Sequence, residues 1–142
     1  MNLFLDTSIL VAACLGDHPD HAASIALFRQ CAPATAFCAA HSLAETYSTL
    51  TRIPPPHRVT AAEATRFLDT VCENLTPVSL ESLEYREALR QAAVAGIVGG
   101  AIYDFLIAAC ARKAAAERRY TWNLKHYERF GPGLAQLPQS AV

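Results

Sequence analysis

The stretch that decides the fold is residues 2–8, Asn-Leu-Phe-Leu-Asp-Thr-Ser. Its three apolar residues show no polar alternation, which is typical of a strand covered on both faces. The apolar run that follows, residues 9–13, is predicted to be helical. Asp6 therefore lies where a buried strand passes into a helix, and the sequence places polar groups at the tip of that strand.

The same succession of strand and helix recurs along the chain. Further strands are predicted at residues 34–39 and 119–122, with a brief edge strand at residues 77–80. Helical patterns separate them, at residues 7–15, 19–31, 41–50, 60–74, 83–95 and 102–116, with a short helix inside residues 123–130. Strands separated by helices predict an α/β fold, a three-layer α/β/α sandwich with a short central parallel sheet and right-handed crossovers.

Length and composition limit what the chain can be. With 142 residues, 52% of them hydrophobic, it is expected to form a single domain over residues 1–142. Twelve basic and 13 acidic residues exclude a broadly cationic surface, so a nucleic-acid partner would need local basic patches. Five cysteines without a CxxC pair are expected to be small buried residues in a reducing compartment. Without a basic leader or a membrane-length apolar run, we expect a cytoplasmic protein with no membrane contact.

Three acidic residues fall at the ends of these elements. Asp6 follows the first strand, Glu45 follows the second, and Asp104 opens the helix that is apolar nearly all round. Ligands of open parallel sheets bind beyond the carboxyl ends of the strands, so the fold is expected to bring these groups together. Each acid also has a structural interpretation. Asp6 suits a helix N-cap, Ser42 with Glu45 matches a capping box, and Asp104 complements a helix dipole.

The surroundings of Asp104 favour a functional interpretation. Apolar neighbours flank it on both sides, and a carboxylate in such a place is costly unless a charge meets it. Neighbouring carboxylates repel one another unless a cation lies among them. A small cluster of hard oxygen ligands suits Mg²⁺, with Mn²⁺ as a possible substitute. The implied chemistry is metal-assisted phosphodiester cleavage, in which the ion activates water.

Four blocks in order carry a resemblance to the PIN-domain nucleases, and the compact length resembles the VapC ribonuclease toxins within that family. They are residues 2–8, residues 42–47 (Ser-Leu-Ala-Glu-Thr-Tyr), residues 100–109 (Gly-Ala-Ile-Tyr-Asp-Phe-Leu-Ile-Ala-Ala) and residues 121–127 (Thr-Trp-Asn-Leu-Lys-His-Tyr). The similarity covers essentially the whole chain, including residues 51–54 and 130–133. It implies a magnesium-dependent endoribonuclease that is the toxin of a toxin-antitoxin pair, a homodimer silenced by a small antitoxin.

Carried over by position, the resemblance implies that Asp6 and Asp104 are the principal metal-binding and catalytic carboxylates, with Glu45 as the third acid. It implies supporting roles for the hydroxyls of Thr7, Ser8 and Thr121. Asn123 stands where many family members have an aspartate. The neutral amide lowers the local negative charge, so we expect one tightly held ion rather than two.

Several other signals have competing interpretations. Arg112, Lys113, Lys125 and His126 are candidate RNA contacts, although cations also favour a helix end and His126 suits an ordinary surface position. The Arg118-Arg119 pair is interpreted chiefly as a solvated helix end. His18 and His21 have the spacing of a zinc pair, but without further ligands nearby the start of an exposed helix is favoured.

Two rival functions follow from the same residues. An aspartate at the end of a first parallel strand could serve a phosphoryl-transfer or receiver-like domain. A second aspartate after Asp6 and a lysine ending a later strand are missing, and this counts against that function. Asn123 motivates the other rival, a PIN-like protein that binds RNA or a protein partner with little turnover. The base sequence that an RNA substrate would carry is not encoded in any of these motifs.

Overall fold

The computed structural model describes residues 1–128 and contains a four-stranded sheet within that range. Its strands are β1 (Leu3–Leu5), β2 (Ala36–Ala39), β3 (Thr76–Val78) and β4 (Arg118–Tyr120). All pairings are parallel and the order is β3-β2-β1-β4, so β1 lies in the interior beside β4. From β1 the chain continues to β2 and β3 on one side of the sheet, and β4 is added on the other side of β1. Open α/β sheets form their binding crevice at such a change of direction.

Seven helices connect and follow the strands in the described part of the chain. They are α1 (Thr7–Cys14), α2 (His21–Arg29), α3 (Ala40–Thr51), α4 (Ala61–Asn74), α5 (Ser82–Val94), α6 (Ala101–Lys113) and α7 (Leu124–Glu128). Local signals explain several starts. Asp6 caps α1, and Thr60 with Glu63 forms the capping box that the sequence predicts for α4.

Helices cover both faces of the sheet, because adjacent residues of β1 point to opposite sides. Phe4 belongs to an apolar cluster with residues of α5, α6 and α7, whereas Leu5 belongs to a second cluster with residues of α1, α2 and α4. Both side chains are fully buried. The predicted central parallel sheet flanked by helices is therefore confirmed.

The element boundaries differ from the predictions by a few residues. Helix α6 ends at Lys113 rather than at residue 116. Ala115 takes a positive φ, and the chain turns there toward β4. The predicted edge strand is present as β3, at the end of the sheet. Helix α2 begins at His21 behind Asp20, and the amide of Asp20 donates to His18 Nδ1 (3.0 Å), as expected of a helix start. The predictions for residues 129–133 lie outside the described residues.

Arg119 corrects one prediction. The Arg118-Arg119 pair does not form a solvated helix end, because both residues belong to β4 and Arg119 is only 1% exposed. Alternation along the strand turns Arg119 inward, where its guanidinium lies 4.4 Å from the centre of the Tyr127 ring. A cation is thus buried beside the polar end of β1.

The cysteines are less uniform than predicted. Cys31, Cys38 and Cys110 are buried and Cys14 is half-buried, but Cys72 is exposed on α4. Burial raises the pKa of the Cys38 thiol to about 12, and the pKa values of Cys31 and Cys110 to about 11. Only a thiolate reacts readily with an alkylating agent. The buried thiols are therefore protected both because the reagent cannot reach them and because they stay protonated.

Alkylation therefore tests the packing. At pH 8.5 we expect iodoacetamide to modify Cys72 first, with Cys31, Cys38 and Cys110 reacting only when the chain is unfolded, as read by peptide mass spectrometry. Raising the pH to 9.5 should leave Cys38 protected, because its raised pKa keeps it a thiol. Equal labelling of all five in the native protein would contradict this packing.

Within residues 1–128, no helix is both long enough and apolar enough to cross a bilayer.

Candidate active site

A cavity of about 630 Å³ opens at the carboxyl end of β1 and β4. Residues of α1, α3, α6 and α7 line it, and among them are Asp6, Glu45 and Asp104. The three acids come from distant parts of the sequence and meet because parallel strands end at one edge of the sheet. The structure therefore brings the predicted acids to the same cavity.

Asp6 is held at the floor of this cavity by four hydrogen bonds. Its Oδ1 accepts from the amide of Ser8 (2.6 Å) and from the Ser8 hydroxyl (2.7 Å). Its Oδ2 accepts from the Thr121 hydroxyl (2.7 Å) and the Tyr127 phenol (2.9 Å). The side chain is only 3% exposed, so these donors replace the water that the carboxylate loses. A carboxylate offers about four lone-pair positions, and donors already occupy all of them.

The bond from the Ser8 amide is also a helix cap. Asp6 is the N-cap of α1 and its backbone is extended, as the capping interpretation predicts. The cap uses Oδ1, whereas Oδ2 is held by Thr121 and Tyr127 at the floor of the cavity. The structural interpretation of Asp6 is confirmed without excluding the functional one.

A buried cation and a phenol stand behind Asp6. Burial lowers the pKa of the Arg119 guanidinium, while the nearby Tyr127 and Asp6 raise it again. Burial also raises the pKa of the Tyr127 phenol, and the charges of Asp6 and Asp104 add to that rise. Tyr127 therefore stays protonated at any physiological pH and can only donate to Asp6.

Glu45 lies in the second turn of α3. Its Oε1 is 2.8 Å from the Thr7 hydroxyl, which is also 2.9 Å from the Ser42 hydroxyl. The capping-box interpretation of Ser42 and Glu45 is wrong, because α3 follows β2 directly and begins at Ala40, so both residues lie inside the helix. Glu45 instead links α3 to the start of α1 through Thr7.

Asp104 occupies the first turn of α6, so the helix dipole does favour its charge. Its side chain is 27% exposed and its Oδ2 lies 3.4 Å from His126 Nδ1. His41 has a similar place beside Glu45, with 4.0 Å between Nε2 and Oε2. Two carboxylates at the cavity mouth therefore each have an imidazole neighbour, whereas Asp6 is held by buried groups.

The segment after β4 completes the wall. The Thr121 hydroxyl donates to Asp6 and accepts from the amide of Asn123 (2.9 Å), so it ties this segment to the carboxylate. The Ser8 hydroxyl donates to Asp6 and accepts from the amide of Trp122 (2.9 Å). Asn123 is exposed and lines the cavity, so its side chain is available to a ligand.

The sequence comparison decides the family. The family model described as PIN domain matches residues 3–118, a segment that holds β1, α3, α6 and all three acids. This chain belongs to the PIN-domain family. It is 33% identical to ribonuclease VapC40 of Mycobacterium tuberculosis over 125 residues, covering 88% of this chain and 89% of the relative. It is 36% identical to ribonuclease VapC27 of the same organism over 115 residues, covering 81% and 80%.

Solved structures show the same fold. The crystal structure of M. tuberculosis VapC20, described as a sarcin-ricin loop cleaving toxin, matches with a TM-score of 0.71 at 15% identity and covers 99% of this chain and 98% of that one. VapBC2 from Rickettsia felis, crystallised with a DNA fragment from its promoter, matches with a TM-score of 0.61 at 21% identity and covers 99% and 98%. The PIN fold predicted from the sequence is thus confirmed.

The predicted RNA contacts of this PIN domain lie in three places. His126 lines the cavity. Lys125 is exposed on α7 but is not part of the cavity wall. Arg112 and Lys113 lie at the far end of α6, where Arg112 donates to Gln91 and Lys113 contacts Glu84 at 2.6 Å. These two side chains belong to the packing of α5 against α6 and not to the cavity.

The oxygen ligands available in the PIN cavity are of the kind that a hard divalent cation prefers. Three carboxylate side chains line the cavity, and Mg²⁺ is commonly held by one or two carboxylates with its waters retained. Within residues 1–128, no three His, Cys, Asp or Glu side chains stand close enough to form a ready-made metal cluster.

Sequence reasoning missed two residues of this site. The sequence marks Tyr127 only as a member of the fourth block and indicates a solvated helix end for Arg119, yet both lie behind Asp6. One signal was available for Arg119: it lies in a predicted strand, and strands of a parallel sheet covered on both faces are buried. No local pattern marks Tyr127, because its bond to Asp6 spans most of the chain.

Proposed function

We propose that this PIN domain, a single domain over the whole chain, is a magnesium-dependent endoribonuclease. The observation that carries the proposal is the convergence of Asp6, Glu45 and Asp104 on one cavity at the carboxyl edge of the sheet. Its relatives VapC40 and VapC27 are named ribonucleases and are similar over four fifths or more of this chain. RNA phosphodiester bonds are therefore the substrate class that we assign to the cavity.

Asp6, Asp104 and Glu45 would hold the ion, with Mn²⁺ as an alternative to Mg²⁺. A bound divalent ion activates water at neutral pH and offsets the charge that builds on phosphoryl oxygens. The protein supplies the positions of the acids. Thr121 and Ser8 orient Asp6, and Thr7 orients Glu45 through the 2.8 Å contact. Asn123 offers the cavity a neutral amide, so we propose one ion rather than two.

The biological role that fits is the toxin of a toxin-antitoxin pair. The relatives carry VapC names, and the R. felis structure is of a complex called VapBC2. We propose that a small antitoxin protein blocks the acidic cavity, that the toxin is a homodimer, and that it acts in the cytoplasm. An antitoxin that presents a cationic side chain to Glu45 or Asp104 would occupy the place of the metal.

A second candidate function is RNA or partner binding with little turnover. Two observations favour it: a neutral Asn123 lines the cavity where the family resemblance implies an acid, and all four lone-pair positions of Asp6 are already used by hydrogen-bond donors. Such a protein would bind RNA equally well with and without a divalent ion and would leave it intact. The aspartate-based phosphoryl-transfer rival gains no comparable support, since Asp6 is buried and fully hydrogen-bonded.

Mapping cleavage of total cellular RNA separates these functions. With Mg²⁺ we expect discrete new 5′ ends, which disappear with excess EDTA and return when Mg²⁺ is added back. Cleavage that persists in excess EDTA would contradict the proposed metal site. RNA that is bound but intact under all metal conditions would favour the binding function.

The bond from Tyr127 to Asp6 gives a prediction about metal affinity. Tyr127→Phe removes one of the four donors and frees a lone pair on Oδ2. We expect Mn²⁺ to bind about tenfold more tightly by calorimetry, because the ion no longer competes with the phenol. We expect the free energy of unfolding to fall by about 1 kcal/mol.

The exposed Tyr85→Phe on α5 is the matched control and should change neither quantity. Weaker Mn²⁺ binding by Tyr127→Phe would mean that the phenol organises Asp6 for the metal instead of competing with it.

A further inference from the structure

The main cavity by itself has the wrong charge for a nucleic acid. Its described walls carry the carboxylates of Asp6, Asp20, Glu45 and Asp104 and include no lysine or arginine. Single-stranded RNA is held chiefly through its phosphates, by cations and hydrogen-bond donors. Even with a metal ion bound, the strand on either side of the scissile bond needs cationic contacts outside this cavity.

A second, smaller cavity supplies them. Its volume is about 310 Å³, and it shares Glu45 and Thr49 with the main cavity, so the two are neighbours along one face of α3. Its remaining walls come from His41, Ala44, Ser48 and Arg52. Arg52 is exposed, and its guanidinium makes no hydrogen bond or ion pair with any other residue of the described chain. This contrasts with Arg112 and Lys113, which already have partners.

An exposed aromatic pair stands at the boundary of the two cavities. The rings of His41 on α3 and Tyr103 on α6 are stacked, with centroids 5.5 Å apart and planes inclined by 11°. Tyr103 is 50% exposed although most of α6 is buried. Exposed aromatic rings near a polar groove are where unstacked bases of single-stranded RNA bind.

From this juxtaposition we propose that the cavity formed by His41, Ser48 and Arg52, with Tyr103 at its edge, is a subsite for the single-stranded RNA next to the scissile phosphate. Arg52 holds a phosphate and the His41–Tyr103 pair stacks a base. The subsite rests on the proposed ribonuclease function and names how its substrate is held. It places the strand along α3, from the acidic cavity toward the loop after Arg52.

The helix sets the length of RNA that is needed. Positions 45 and 52 lie about 10 Å apart along the axis of α3, at 1.5 Å per residue. An oligonucleotide that spans this length contacts Arg52 and the acidic cavity at the same time. The contribution of Arg52 to affinity is therefore expected to appear only as the strand is lengthened.

Binding of a fluorescein-labelled 12-nucleotide RNA, followed by anisotropy in EDTA so that no cleavage occurs, tests the subsite. We expect Arg52→Ala to weaken binding about tenfold at 100 mM KCl, and the slope of log K against log salt to become shallower by about 0.7, the value for one lost phosphate contact on a single strand. Arg86→Ala, an exposed arginine on α5 outside both cavities, is the matched control and should match the wild type.

Tyr103→Ala tests the stacking part separately. We expect affinity to fall by about tenfold while the salt slope stays at the wild-type value, because a stacking contact releases no counterions. Both substituted side chains are exposed, so the variants should fold, and their melting temperatures are measured alongside.

The outcomes distinguish the subsite from the proposed function. Wild-type affinity and slope in both variants would overturn the subsite, even if the wild type cleaves RNA in Mg²⁺. Weakened binding in both variants supports the subsite, even if the wild type cleaves nothing and the ribonuclease proposal fails. A wild type that binds no RNA in EDTA at any salt concentration would overturn the subsite, while the ribonuclease proposal is decided by the cleavage experiment in Mg²⁺.

Discussion

Asp6→Asn is expected to lower the rate of RNA cleavage by at least about 100-fold, with a loss of protein stability that the other two acid substitutions do not share. The catalytic loss follows because a neutral amide supplies no charge to a divalent ion and is a weaker ligand. Glu45→Gln and Asp104→Asn should lose activity for the same reason. The stability loss is specific to Asp6, the buried acid.

The hydrogen bonds of Asp6 give the size of that loss. The Asn carbonyl can accept from Ser8, but its NH2 group then faces the hydroxyls of Thr121 and Tyr127, which donate to the carboxylate. Hydrogen bonds to a charged acceptor are worth about 1.5–3 kcal/mol each, and hydroxyl rotation recovers part of the loss. We expect the free energy of unfolding to fall by about 2–3 kcal/mol and the melting temperature by about 5–10 °C.

Urea denaturation and calorimetry measure this, with Asp69→Asn on the exposed face of α4 as the control that should match the wild type. Glu45 and Asp104 are partly exposed, so their amide variants should melt within about 2 °C of the wild type. Wild-type cleavage by Asp6→Asn would remove the proposed metal site. Equal destabilisation by all three variants would contradict the special position of Asp6.

Arg119→Met is expected to destabilise the fold by about 3 kcal/mol. The guanidinium is 1% exposed, packs 4.4 Å from the centre of the Tyr127 ring and is close enough to Asp6 for their charges to interact. Methionine fills much of the same volume but leaves the buried carboxylate without a nearby cation, and the loss of a buried charge that acts on Asp6 and on the Tyr127 ring is expected to cost about 3 kcal/mol.

Arg118→Met on the same strand is the matched control. Its side chain is only partly buried and points to the other side of the sheet, so we expect a change in unfolding free energy within about 0.5 kcal/mol. Equal stability of the two variants would show that Arg119 contributes packing alone. A more stable Arg119→Met would show that desolvation of the guanidinium outweighs its attraction to Asp6.

Much of this protein could be predicted from local patterns. The apolar run of β1 ending at Asp6, the capping box of Thr60 and Glu63, and the apolar helix around Asp104 all have local causes, so they could be read without coordinates. Alternation of strands and helices then predicted the parallel sheet, because few other topologies accommodate it. The acids follow from that topology, since they lie at strand ends and at the start of a helix.

Predictions from local motifs were wrong where the same residues fit two different structural roles. Ser42 and Glu45 have the spacing of a capping box, but β2 passes into α3 without a loop, so the helix starts too early for them to cap it. Arg118 and Arg119 look like a helix end, but α6 stops at Lys113 and the chain needs a strand to pair with β1. In both places the position of an element boundary decided the role of the side chains.

The sequence by itself determined the layers of the fold and which acids stand at its polar edge, because hydrophobic periodicity and strand ends are local properties. Only the tertiary structure decided how Asp6 is held. The contacts of Asp6 with Thr121 and Tyr127 join residues more than a hundred positions apart, and the pattern of β1 alone cannot show them. Hydrogen-bond donors occupy the four lone-pair positions of that carboxylate, and a buried cation lies behind it. Both features depend on packing between the two ends of the described chain.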